Sequence, residues 1–368
     1  MKEELRVIRQ LSPNATSASM DALWNAFESV SKKKKGYKVS FAIFQSKSDP
    51  MILFDKWKPK DFSFRISPHE DFYEFKLYRV IKRVDIENGE RDLEGEFGIY
   101  HLEDNLWLAF TSGDPDFFKT GLLRFIDSYR PDISRISLSS RDLGIILNEM
   151  EQKIEGDIFI KKAILYSHRE EGEIKFRKPR NMSLDNLFAI AGSEDCIVDK
   201  LEYVVSSKTM GQLQSFITRE GIAYYMGGTI RMFSHFFLKI YSEAANGRLK
   251  LLSERQSKTI ASEMHPIDII FDSDVFQSTE DNTLLASALS NIPRSGIAVL
   301  HKNPYFHAKI LDFLDGSTFN VFVNDMRRIT VVPGTRSSSS ALMRLCEQVF
   351  RDFHEGRIES TPKSYMKM

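Results

Sequence analysis

The chain has few cysteines and no long apolar run, and each absence excludes a class of protein. Only two cysteines, Cys196 and Cys346, occur in 368 residues, and neither has a second cysteine or a histidine at metal-ligand spacing. The sequence therefore predicts no disulfide framework and no metal site. No apolar stretch approaches the roughly 20 residues that cross a bilayer, and no secretory segment follows the charged start. We expect a cytoplasmic protein without membrane contact, with both cysteines as reduced core thiols.

An excess of charge is also lacking. Lysine plus arginine and aspartate plus glutamate both number 51, so the whole molecule has no net positive field to attract nucleic acid. Any site for a polyanion must then be local. The chain contains neither a Walker-type phosphate loop nor a Gly-x-Gly-x-x-Gly fingerprint, so no nucleotide or other cofactor is expected.

Residues that build cores are abundant, since 42% of the chain is hydrophobic and phenylalanine occurs 28 times against three tryptophans. Alternating strand-like segments and amphipathic helices predict an α+β fold of two lobes, each with a hairpin-containing sheet packed by helices. We place the N-terminal α+β lobe at residues 1–180, a helical connecting region at 181–260 and the C-terminal α+β lobe at 261–368.

Local signals are clearest for three elements. Ser139 precedes an apolar stripe and predicts a capped helix, and residues 103–105 predict the turn of a hairpin. In the C-terminal lobe Asp315-Gly316 predicts a two-residue hairpin turn, which would place Lys309 opposite Phe322. The polar side chains expected on the outer face of this hairpin are His307, Lys309, Asn320 and Asn324.

An imidazole, an ammonium group and amides on one sheet face could bind a phosphate, with His307 as a nucleophile or general acid. The His307-x-Lys309 element is similar to the His-x-Lys element of phospholipase-D-like nucleases. That family places an aspartate five residues after the lysine, where this chain has Leu314, and here Gly316-Ser317 falls in the predicted turn. Because only one copy of the element is present, the resemblance implies a homodimer for activity.

A second catalytic hypothesis concerns carboxylates at the end of a predicted strand. Asp268, Asp272 and Asp274 follow His265, and carboxylates at such a position can hold Mg²⁺ in nucleases. The same residues are typical of a turn or a helix cap, and both interpretations stay open. Magnesium is the one cofactor that the catalytic alternative would require.

Two basic features could contact a nucleic-acid backbone. The first is a cluster around Phe176 at the end of a predicted hairpin, where basic residues flank an aromatic ring. The second is Arg336, which precedes a serine run at a predicted helix start, a position suited to an anion or to a cap. The basic residues of the first cluster are Lys175, Arg177, Lys178 and Arg180.

We therefore predict a non-enzymatic accessory protein that contacts a protein partner and also a nucleic-acid backbone, through the basic hairpin and the C-terminal lobe. The alternative is a metal- or His-dependent phosphodiesterase or nuclease that uses His307 and Lys309, or Asp272 and Asp274. Size, neutral charge and lack of targeting are compatible with a prokaryotic antiviral defence or mobile-element system.

Overall fold

The computed structural model describes residues 20–33, 38–57, 64–71, 75–86, 89–112, 118–167, 173–253 and 266–361. The chain divides into two compact units. Unit 1 is formed from the segments 1–165, 174–190 and 198–244, and unit 2 from the segments 166–173, 191–197 and 245–368.

Within the described residues, unit 1 is built around an eleven-stranded sheet. Its strands are β1 (Val39–Ser46), β2 (Phe64–Asp71), β3 (Phe75–Ile86), β4 (Gly89–Glu103), β5 (Leu106–Ser112), β6 (Ile133–Arg135), β7 (Gly156–Ser167), β8 (Glu173–Ser183), β9 (Cys196–Ser207), β10 (Gly211–Thr218) and β11 (Ile222–Gly228). Their order is β2-β3-β4-β5-β1-β11-β10-β9-β7-β8, and β6 pairs with β1. The pairs of this sheet with a defined register are antiparallel.

Unit 2 contains a six-stranded antiparallel sheet in the order β13-β14-β15-β16-β12-β17. Its strands are β12 (Ile267–Ile270), β13 (Ser295–His301), β14 (Phe306–Asp312), β15 (Thr318–Asp325), β16 (Arg328–Pro333) and β17 (Arg357–Ser360). This order leaves β13 and β17 as the two edge strands.

Eight α-helices lie in the described part of the chain, and two of them continue from π-helical turns at Phe118–Leu122 and Met232–Phe237. The helices are α1 (Met20–Lys33), α2 (Pro50–Lys56), α3 (Leu123–Ser128), α4 (Ser140–Ile154), α5 (Leu184–Ser193), α6 (Leu238–Ser253), α7 (Thr279–Ser290) and α8 (Ser339–Asp352). With two antiparallel sheets and these helices, the chain has the predicted α+β fold.

The prediction of a helical region at 181–260 is wrong for its central part, because β9, β10 and β11 lie there and join the sheet of unit 1. Residues 201–207 alternate buried and half-buried positions along β9, with Leu201, Tyr203 and Val205 in the core. Antiparallel pairing with β10, the next strand along the chain, holds these residues extended. The proposed division at residues 180 and 260 stays a prediction.

Both faces of the sheet in unit 1 are covered, which explains why every residue of β1 is buried. On one face the ring of Trp24 in α1 lies 5.8 Å from that of Phe41. On the other face Ala42 and Phe44 belong to a core cluster with residues of α2 and α3, where the rings of Phe54 and Phe125 meet edge to face at 4.7 Å. The abundant phenylalanines therefore seal two core layers.

Two of the three local predictions agree with the structure, and the third, the two-residue turn at Asp315-Gly316, is wrong. Ser139 caps α4 through a reciprocal capping box with Asp142, and β4 and β5 form a hairpin that closes at Glu103 and Leu106. Helix α8 begins after its cap Ser338. The apolar stripe of this last helix is buried, at Leu342, Leu345, Cys346, Val349, Phe350 and Phe353.

Neither cysteine is in a disulfide: Cys346 is buried and Cys196 is half-buried. Among the described residues, no helix has the length and apolarity needed to cross a membrane.

Candidate functional site

The C-terminal hairpin has a different register from the predicted one. His307 lies opposite Phe322 and Lys309 lies opposite Asn320, a shift of two residues. The cause is a longer loop: the backbone N–H of Asp312 donates to the carbonyl of Ser317 at 2.8 Å, so four residues turn the chain instead of two.

Side chains stabilise this longer loop. The carboxylate of Asp312 accepts the backbone N–H of Leu314 at 2.8 Å and binds the guanidinium of Arg344 on α8, with a shortest distance of 2.7 Å. The carboxylate of Asp315 accepts from the hydroxyl of Ser338, which caps the same helix. Burial raises the pKa of Asp315, but hydrogen bonds from Ser317 and Ser338 and the charge of Arg344 outweigh it and hold that pKa below its ordinary value.

A shift of two residues leaves each side chain on its predicted face. Ala308, Ile310, Phe319 and Val321 are buried, whereas Lys309 is exposed and His307 and Asn320 are half-buried. Leu314, expected on the apolar face, lies in the loop and is half-buried.

His307 is held by its neighbours on this outer face. Its ring stacks on Phe322, with centroids 4.3 Å apart and planes 20° from parallel, and its Nε2 lies 3.3 Å from Oδ1 of Asn320. The Lys309 side chain shares this face. The structure thus brings together His307, Lys309 and Asn320, as the sequence predicts, and their catalytic role stays a prediction.

The carboxylates of the second hypothesis are engaged in other ways. Asp268 is buried and accepts from the hydroxyl of Thr330 at 2.8 Å, with Arg328 at 3.6 Å. Asp274 forms an ion pair with Arg327, and Asp272 is exposed. His265 lies outside the described residues. In the described part of the chain, no group of three or more histidine, cysteine, aspartate or glutamate side chains is placed to hold a metal ion.

Sheet register also separates the two catalytic hypotheses. Asp268 pairs with Thr330, Thr330 with Phe322 and Phe322 with His307, so Asp268 and His307 are in one row of the sheet but three strands apart. Three strand spacings amount to about 14 Å, which is too far for His307 and Asp268 to act on the same atom directly.

Asp274 also lines a cleft of 1070 Å³ in unit 2. The other carboxylates of the cleft have partners too: Asp281 accepts backbone N–H groups of the turn before α7, Asp352 accepts from Asn291, and Asp195 lies 3.8 Å from Nδ1 of His354. The cap of α7 is Ser278 rather than Asp272 or Asp274. The cleft is therefore a polar depression whose charges serve local structure.

The predicted nucleic-acid contacts are described only in part. The backbone of Lys175, Arg177, Lys178 and Arg180 lies in β8, but their side chains are outside the described residues. Arg336 is exposed, and its carbonyl accepts the backbone N–H of Thr318 at 2.7 Å. The helix cap at this position is Ser338, so Arg336 is left facing solvent beside the end of β15.

The feature that the sequence did not reveal is an exposed apolar surface on the β13–β14 hairpin. Of nine large hydrophobic side chains exposed in the described part of the chain, five lie between residues 299 and 313. We call these five the edge patch: Val299 (41% exposed), Leu300 (54%), Tyr305 (68%), Leu311 (41%) and Phe313 (62%). Val299 lies opposite Ala308 and Leu311 lies opposite Gly296, so these two side chains are on opposite faces of the sheet beside its edge. The ring of Phe313 lies against the backbone of Gly296, where a Cβ atom would approach it to 2.9 Å.

Basic side chains surround the edge patch. The only carboxylates between residues 294 and 316 are Asp312 and Asp315, and both are bound to groups of α8 and its cap. The exposed part of this hairpin is therefore positively charged, although the chain as a whole is neutral. The exposed basic residues are Arg294, His301, Lys302 and Lys309.

Comparison of the sequence with protein-family models and with curated proteins finds no match. Fold and surface therefore define only a class: an α+β protein with two antiparallel sheets and an exposed, basic-rimmed apolar edge on the second.

Proposed function

We propose that this chain is a non-enzymatic accessory protein that binds a protein partner through the edge patch of unit 2. The observation that carries the proposal is the exposure of three aliphatic and two aromatic side chains on one hairpin. Five of the nine large hydrophobic side chains that are exposed in the described residues lie on this hairpin, and such a concentration of exposed apolar side chains typically marks an interaction site. The two aromatic side chains, Tyr305 and Phe313, also match the enrichment of aromatic residues at protein interfaces.

The chemistry of the patch favours protein over nucleic acid as the ligand. Single-stranded nucleic acid stacks its bases on aromatic rings, and Tyr305 and Phe313 could serve in that way. Val299, Leu300 and Leu311 offer no π face, and burying aliphatic surface is the main contribution to association between proteins. The basic rim would then speed encounter with an acidic partner surface. Backbone contacts of nucleic acid at Arg336 or at β8 remain a further prediction.

One observation supports the catalytic alternative: His307, Lys309 and Asn320 share the outer face of the hairpin. Against it, the imidazole is stacked beneath Phe322 and Asp268 is buried three strands away. The cytoplasmic location and the setting in prokaryotic antiviral defence belong to the same proposal.

A capture experiment tests the proposal. Tagged wild-type protein is compared in host-cell extract with the double variant Leu300→Ser, Phe313→Ser and with Ile145→Ser as a matched control. Ile145 is 50% exposed in unit 1, close to the 54% of Leu300. We expect proteins that the wild type and the control retain and the double variant loses, after nuclease treatment of the extract. Equal retention by all three would refute a role of the edge patch.

A titration distinguishes the competing ligands. Labelled single-stranded DNA, duplex DNA and RNA are titrated at two salt concentrations, with and without Mg²⁺, and the recovered probes are run on a gel. Salt-sensitive binding with intact probes would favour nucleic acid as the ligand, and shortened probes would favour the nuclease alternative.

A further inference from the structure

Strand β13 ends the sheet of unit 2, and half of its backbone groups point away from that sheet. The N–H of Phe313 donates to the carbonyl of Arg294, and the N–H of Asp312 donates to that of Ser317. These two bonds show how the backbone groups of β14 alternate. The N–H and C=O groups of its odd-numbered residues face β13, and those of its even-numbered residues face β15. Ser295, Ile297 and Val299 therefore direct their N–H and C=O groups to the open edge.

Along its regular ladder, Ser295–Val299, this edge lacks two of the devices that keep edge strands from pairing, namely charged side chains and prolines. Folded proteins protect such edges with charged residues, prolines or covering loops. The stretch Ser295–Val299 contains neither a charge nor a proline, and residues 298–301 are exposed. A bulge at Leu300 shifts the register beyond Val299, so the regular ladder covers five residues. The open edge is thus a short, apolar template for one more strand.

The charges beside the edge decide which strand fits. Arg294 stands just before β13 and Lys302 just after it, with Lys309 on the neighbouring strand, and all three are exposed. Two copies of β13 paired antiparallel about Ile297, the centre of the regular ladder, would bring Arg294 of one copy opposite Leu300 and diagonal to Lys302 of the other. Like charges on this diagonal repel each other, because long side chains reach across it, so the edge favours an acidic segment over a second copy of itself.

We infer that β13 accepts an extended segment of another protein as an added β-strand, apolar in its middle and acidic at its flanks. The inference rests on the proposed function and specifies its partner. Main-chain hydrogen bonds to Ser295, Ile297 and Val299 would supply affinity, as in other cases of strand addition. The edge patch would cover the apolar side chains of the added strand, and the basic rim would bind its carboxylates.

A pair of labelled peptides tests the charge and the conformation. The first is Glu-Glu-Val-Thr-Val-Thr-Val-Glu-Glu, and the second carries lysine in place of each glutamate. Fluorescence anisotropy with the full-length protein should show at least about tenfold tighter binding of the acidic peptide at about 50 mM salt. The difference should shrink at about 500 mM salt, where exposed charges are screened. Equal binding of the two peptides, or no binding of either, would overturn the inference.

Variants at Val299 separate strand addition from simple apolar contact. Val299→Pro removes only an N–H that faces the open edge, so the fold should keep its hydrogen bonds while peptide binding falls about tenfold or more. Val299→Ala keeps that N–H and removes only side-chain contact of the edge patch, so it should lose clearly less binding than Val299→Pro. If both variants lose binding equally, the contact is through side chains and the inference fails. Thermal melts monitor folding, and Ile297→Pro repeats the test where Val299→Pro unfolds.

Charge variants and the two competing occupants complete the design. Arg294→Glu with Lys302→Glu should remove the preference for the acidic peptide, whereas Lys161→Glu, on an exposed position of β7, should not. A wild-type dimer in sedimentation that Val299→Pro dissociates would replace the acidic partner with a second copy. Single-stranded DNA that displaces the acidic peptide and binds Val299→Pro as well as wild type would replace it with nucleic acid.

The capture experiment keeps the two proposals separate. If the Leu300→Ser, Phe313→Ser double variant loses partners that Val299→Pro keeps, the edge patch binds a protein but not as an added strand. If neither variant loses any partner, the proposed function itself fails.

Discussion

Replacing Arg344 by methionine should destabilise unit 2 strongly, because the buried carboxylate of Asp312 would lose its positively charged partner. The guanidinium lies 2.7 Å and 3.1 Å from Oδ2 of Asp312, and the two side chains are 13% and 3% exposed. Removing one partner of a buried ion pair costs about 3–5 kcal/mol, since the other charge stays desolvated without compensation. Methionine keeps most of the volume of the stem, so the loss would report the charge rather than a cavity.

Hydrogen exchange measured by mass spectrometry resolves this effect by region. Protection of peptides from β14, β15 and α8 should fall by roughly two to four orders of magnitude, the equivalent of about 3–5 kcal/mol. Peptides from β1 in unit 1 serve as the internal reference.

The double variant Asp312→Asn, Arg344→Met supplies the control. Asparagine keeps an acceptor for the backbone N–H of Leu314 but carries no charge, so most of the lost protection should return. If the single and double variants are equally unprotected, the charge of Asp312 is not the cause. If Arg344→Met loses less than about 1 kcal/mol, the pair is as weak as an exposed one and the reasoning is refuted.

Further predictions concern stability, pH and activity. Gly228→Ala should lower the unfolding midpoint of unit 1, measured by tryptophan fluorescence. Gly228 has φ +96°, and a Cβ atom there would lie 2.0 Å from the carbonyl oxygen of Gln212. Gly227→Ala should lower the midpoint less, because no atom lies within 4 Å of the Cβ position at Gly227. Because the pKa of Asp315 is lowered in the fold, its contribution to stability is present above the unfolded pKa of about 3.9 and is lost as the pH falls through the lower folded value. Asp315→Asn should flatten the acid limb of the stability curve, and an unchanged limb would contradict this. His307→Ala should leave partner capture intact, and nuclease cleavage by wild type that this variant loses would favour the catalytic alternative.

The features that could be predicted from the sequence depend on neighbours close in the chain. Ser139 and Asp142 cap α4 within one turn, and the hairpin of β4 and β5 closes through two residues. The apolar stripe of α8 was readable for the same reason. These signals place helices and turns, but they do not say which strands pair.

The errors arise where a distant residue decides the outcome. Arg344 lies 32 residues from Asp312, yet it holds the carboxylate that widens the hairpin loop and shifts its register. Asp315-Gly316 alone favours the shorter turn. Strands β9 to β11 show the same limit, because their alternation is readable in residues 201–207 but their place in the sheet of unit 1 depends on β1 and β7.

The edge patch marks the point at which local signals cannot reveal function. Ile297, Ala298, Val299 and Leu300 form an uninterrupted apolar run, and such a run ordinarily predicts a strand buried on both faces. The order of strands in the sheet makes that prediction wrong here, because β13 is the last strand and these side chains meet solvent. When a sequence suited to a central strand lies at the edge of a sheet, its exposed apolar surface costs free energy in water. A partner strand that pairs with β13 would make it a central strand and remove that cost.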